Sequence, residues 1–82
     1  NPFNPSASLS VTAAAAGPLM VEVYNAVGQR VRRLTLTAPS TGIYSLSWDG
    51  RDEGGRAVSS GVYLFVVNTP VGRLARKGML LR

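Results

Sequence analysis

Apolar and polar residues alternate along most of this chain. Leu9, Val11 and Ala13 interleave with Ser8, Ser10 and Thr12, the period of a half-buried strand. Ala13–Ala16 has a helix-forming composition, but Gly17-Pro18 follows after one turn, and a single turn does not stand alone. That stretch reads as a strand end and a loop. Leu19–Asn25 resumes the alternation, with Leu19, Val21 and Val23 on one face and Met20, Glu22 and Tyr24 on the other.

Asn25–Gly28 is a tight connection whose Gly28 stands where positive φ is needed, as in hairpins with a bulged turn. The return strand, about Gln29–Thr37, carries Val31, Leu34 and Leu36; the spacing slips by one after Val31, which predicts a β-bulge. Ala38–Gly42 is then a loop, and the next strand puts Tyr44, Leu46 and Trp48 on one face. Trp48 is expected between two sheets, near Leu46, Val23 and Leu64.

Arg51–Arg56 is a polar, glycine-rich loop, and Ala57–Val58 a short strand. In Gly61–Asn68 both faces are apolar, Val62, Leu64 and Val66 against Tyr63, Phe65 and Val67. Such a strand is expected to be central and covered on both sides. Arg73–Arg82 closes the chain as a final strand. No internal repeat is visible. About seven short strands, Gly/Pro turns and no helix indicate an all-β antiparallel sandwich.

Composition removes whole classes of chemistry. At 82 residues the chain makes one small domain, which buries only about 60% of its unfolded surface. It has no cysteine, hence no disulfide, thiolate or Cys-based metal site, and no histidine, the commonest general base and metal ligand. Net charge is +5 from nine basic and four acidic residues, which keeps an anionic partner in play. No apolar run approaches the roughly 18 residues of a membrane helix. No signal peptide is present either, so any export address lies in another part of the parent chain or in this domain itself.

Candidate chemistry is sparse. Asp49, Asp52 and Glu53 form the one acidic cluster, offset by Arg51 and Arg56, and their spacing does not match a calcium loop. They read as turn chemistry in an exposed connection that binds no metal. Ser59 and Ser60 have no histidine partner for a triad. We expect no enzyme activity and no cofactor. Tyr24, Tyr44, Trp48 and Tyr63 read as core residues rather than a stacking platform, with at most Tyr24 or Tyr63 facing outward. Arg30, Arg32 and Arg33, with Arg73, Arg76 and Lys77, form two basic stretches without the interleaved aromatics of an RNA-binding sheet, so no nucleic-acid partner is expected. They read as a solvated face that discourages edge pairing, or as a basic surface that docks a partner.

The chain opens NPFNP, two Asn-Pro pairs that disfavour helix. Residues 1–5 read as a linker from an upstream domain, and 6–82 as the folded module. In order, NPFNP, VEVYNAVGQRVRRL, WDGRDEGGRAVSSGVYLFVV and KGMLLR resemble the C-terminal sorting domain of type IX secretion cargo. The same pattern is similar to the Ig-like domain of the flagellar hook-capping protein, a related β-sandwich family. Two departures stand out, the Ala13–Ala16 run and Asn25, where the family usually has Asp.

The first resemblance implies an Ig-like sandwich acting as a secretion signal. It would be recognised by outer-membrane secretion machinery, in some cases cut by a sortase-like peptidase, and would carry its parent to the cell surface. Ser60, Gly61, Tyr63 and the terminal Lys77, Gly78, Met79, Leu80, Leu81 and Arg82 would then contact the translocon. For Gly61 and Tyr63 a purely structural role, as turn and strand residues, stands beside that one. The second resemblance implies a structural or adhesive Ig-like module, of hook-cap or carbohydrate-binding type.

Overall fold

The computed structural model describes residues 7–81; the expected linker at residues 1–5 and the expected contact residue Arg82 lie outside them. Six strands follow in order: β1 (Ala7–Ala13), β2 (Gly17–Tyr24), β3 (Arg30–Ala38), β4 (Gly42–Trp48), β5 (Gly61–Thr69) and β6 (Gly72–Leu80). β1 and β4 pair as one antiparallel sheet, and the other four form a second in the order β3-β2-β5-β6. The fold is the expected all-β, Ig-like sandwich, with six strands instead of about seven. The difference falls at Ala57–Val58, where Ala57 makes only an isolated bridge to Arg51 and the Val58 N–H reaches the Gly50 carbonyl at 3.0 Å.

The alternation places the core as its period requires. Leu19, Val21 and Val23 of β2 and Tyr63, Phe65 and Val67 of β5 face inward, against Val11, Ala13 and Trp48 of the small sheet. Trp48, 1% exposed, packs edge-on to Tyr63 and Phe65, with ring centroids 5.0 and 5.9 Å away. Its indole N–H donates to the Arg51 carbonyl at 2.9 Å, so its one polar atom is satisfied. Leu64 is not beside it: strand alternation turns Leu64 to the opposite face of β5, away from the small sheet.

The bulge falls at Val31. Val23 pairs with Arg32 and Tyr24 with Arg30, leaving Val31 as the extra residue. Beyond the bulge Arg32 lies on the core side of β3, and its guanidinium reaches Asp49 at 3.2 Å and the Arg51 carbonyl at 3.1 Å. Glu53 completes the attachment. Its N–H donates to the Val31 carbonyl at 3.0 Å, and its carboxylate accepts the Arg33 N–H at 2.7 Å. β3 ends its sheet, so these are backbone groups that an edge strand would otherwise leave open. The Asp49–Arg56 connection is thus docked on the β3 edge and is not the loose loop its glycines suggest.

Two local devices each occur twice. Asn25 Oδ1 accepts the N–H groups of Val27 (3.1 Å) and Gln29 (2.9 Å), and Gly28 follows at φ 86°. Asp52 Oδ1 does the same for Gly54 (3.0 Å) and Arg56 (2.9 Å), with Gly55 at φ 84°. Asn and Asp supply the same acceptor to the turn, so the Asn at 25 costs the turn nothing. The second device is a tyrosine that bonds backward to the carbonyl four residues upstream, Tyr44 to Ser40 and Tyr63 to Ser59, both at 2.6 Å.

Candidate functional site

β5 is interior to its sheet, as its two apolar faces require, but only one of those faces is covered. Val62 is 46% and Leu64 38% exposed, and Met79 beside them on β6 is 59% exposed. The register builds the open face row by row. Lys77, Leu64, Tyr24 and Arg30 stand side by side across the four strands, and Ala75, Val66, Glu22 and Arg33 form the next row. Arg73, Asn68, Met20 and Thr35 form a third. At the end nearest the β2–β3 turn lies an open groove of about 460 Å³, floored by Tyr24, Leu64 and the largely buried Val66 and edged by Arg73 and Lys77.

Charge on this face is uneven. Glu22, with its side chain 15% exposed, takes Arg30 at 3.0 Å and Arg33 at 3.6 Å. The hydrogen bond from Arg30, reinforced by both positive charges, holds the Glu22 carboxyl below its ordinary value, against a smaller opposing effect of burial. The β3 side therefore keeps one net positive charge, with both guanidinium groups held by the one carboxylate. Across the sheet, Arg73 and Lys77 have no ion-pair partner among the described residues. The arrangement suits binding: a concave apolar floor with one cationic rim.

The acidic cluster is spent on the protein itself. Asp49 holds Arg32 and the Arg51 N–H, Asp52 holds two backbone N–H groups, and Glu53 holds that of Arg33. These bonds favour the turn-chemistry reading.

The residues expected to contact a translocon do not form one surface. Lys77 and Met79 lie on the open face, Ser60 in the exposed connection before β5, and Leu81 is exposed after β6. Gly61, Tyr63, Gly78 and Leu80 have architectural duties. Gly61 has φ 154°, a region that favours glycine. Tyr63 and Leu80 are buried in the core, and a Cβ on Gly78 would collide with the Phe65 ring. Sequence reasoning placed Arg73 in a basic stretch that forms a solvated face or docks a partner, but passed over Leu64 and Val62 as site residues. Their signal was the doubly apolar β5 itself, read as covered on both faces.

Comparison with known proteins separates the two resemblances. The sequence matches the family described as the FlgD Ig-like domain over residues 2–72, well over half of the chain. Among solved structures it is similar to FlgD from Xanthomonas campestris, whose hook capping is essential for flagellar assembly. That match has TM-score 0.72 and 29% identity, over 94% of this chain and 56% of that one. FlgD from P. aeruginosa is similar with TM-score 0.75 and 25% identity, over 92% of this chain and 59% of that one. The chain thus spans little more than half the length of either. No curated protein sequence matches significantly. These matches overturn the expectation of a type IX sorting signal, and with it the secretion-machinery and peptidase partners that it implied. The two patterns were confusable because the residues carrying the SG-x-Y and terminal-strand likeness, Gly61, Tyr63, Gly78 and Leu80, are needed by the sandwich itself. The chain belongs to the FlgD Ig-like domain family.

Proposed function

We propose that this chain is a non-catalytic structural module of a hook-capping type of protein, working by holding other components against its open sheet face. The observation that carries this reading is the similarity to a hook-capping protein over nearly the whole chain. The open apolar face of β2, β5 and β6 supports it, because a monomeric domain rarely leaves such a surface uncovered without a partner for it. A structural rather than catalytic role also suits a chain whose acidic loop residues are engaged in its own turns. The reading includes action at the cell surface.

The test is deletion of residues 7–81 from the parent gene in its own organism, followed by electron microscopy of hooks. Loss of normal hooks, restored by the intact gene, is expected. Normal hooks in the deletion strain would overturn the reading.

A further inference from the structure

The open face has a built-in polarity. On its β3 side, the single carboxylate of Glu22 pairs with both Arg30 and Arg33 and leaves one net positive charge. On its β6 side, Arg73 and Lys77 edge the groove without an ion-pair partner among the described residues. They sit four positions apart on one face of a strand, so their Cα atoms are separated by about 13 Å. Between them on that face is the exposed Ala75, opposite Val66, which is only 6% exposed; the accessible part of the apolar floor is Leu64, at 38%.

We propose that this groove binds an extended acidic-apolar segment of a partner protein, with two carboxylates four residues apart and an apolar side chain between them. The carboxylates pair with Arg73 and Lys77, and the apolar side chain passes over Ala75 toward Leu64. Charge complementarity selects this occupant. A second copy would bring the same cationic rim against this one, and like charges facing each other are unfavourable. An anionic membrane would satisfy the cations, but the apolar floor lies to one side of them, on β5 and β2, and the half-buried Glu22 lies within the face. This inference rests on the docking-face reading above. Its test measures binding in solution, so its failure is distinct from a failure of hook assembly.

The experiment is selection of a random 12-residue peptide display library against the 82-residue chain. Selected peptides are then measured by fluorescence anisotropy and mapped by amide chemical-shift changes, alongside phosphatidylglycerol vesicles. Expected are peptides enriched in carboxylates four apart around an apolar residue, perturbing the amides of Leu64, Ala75 and Lys77. They should bind Arg73→Glu/Lys77→Glu at least about tenfold more weakly, since opposite-charge pairs become like-charge ones. Arg73→Gln/Lys77→Gln stands in if the reversal does not fold. No enrichment, enrichment without acidic residues, shifts mapping elsewhere, or charge-dependent binding of vesicles alone would each overturn the proposal.

Discussion

Tyr63 reaches back four residues to donate its hydroxyl proton to the carbonyl oxygen of Ser59, at 2.6 Å. Its ring is buried under Trp48, so the bond ties the connection before β5 to the centre of the core. Tyr44 makes the same bond to Ser40 from a more exposed position. Tyr63→Phe should therefore cost about 1–2 kcal/mol, because it strands a part-buried acceptor, and Tyr44→Phe less than about 1 kcal/mol. Urea midpoints of the two variants, measured side by side, check the order.

Trp48→Ala removes the ring on which both Tyr63 and Phe65 pack, together with the bond to Arg51. A loss of about 3–5 kcal/mol is expected, close to the whole stability of a small domain. The variant should lack a cooperative thermal transition, or melt far below the parent, by circular dichroism.

The paired turns offer a chemical test. Asn25→Asp and Asp52→Asn keep the acceptor that each turn uses and should alter stability by no more than about 0.5 kcal/mol. Asn25→Ala and Asp52→Ala each strip two backbone N–H groups of their partner and should cost about 1 kcal/mol apiece. Equal losses for Asp52→Asn and Asp52→Ala would show that the charge, and not the acceptor geometry, matters at that loop.

Glu22 makes stability depend on pH in a stated direction. Its folded-state value is lowered, chiefly by the Arg30 hydrogen bond, so the unfolded chain takes up the proton first as pH falls. The contribution is fully present above the usual glutamate range and is lost as pH drops through the lowered folded value. Glu22→Gln should be less stable than the parent at neutral pH, with the gap closing in acid. A gap that stays constant in urea midpoints across that range would contradict the ion-pair assignment.

Much of this architecture is legible in the chain before any coordinates. The period-two alternation places β2 and β4 and their inward faces, the slipped spacing after Val31 locates the bulge, and Gly28 marks its turn. Two things were hidden for physical reasons. A strand apolar on both faces states that it is interior to a sheet but not whether a second layer covers it. Leu64 was therefore assigned to the core, although it looks outward. The docking of Glu53 on β3 depends on backbone groups that leave no trace in side-chain pattern. A third feature was visible but overlooked: STGIY and SSGVY are the same five-residue device, as are NAVGQ and DEGGR. The tyrosine and glycine of SSGVY, for which a structural role stood beside a signal role, take part in that device.

The most direct test of the account replaces Leu64 by Glu in the parent gene, with hook assembly as the readout. Leu64 is 38% exposed on the open face and does not belong to the core, so the isolated domain should keep a cooperative melt while its apolar floor acquires a buried-on-binding charge. We predict a folded domain that no longer supports normal hooks. Normal hooks from a strain carrying Leu64→Glu, alongside their loss in the strain carrying Trp48→Ala, would show that the fold is needed but that this face is not its working surface.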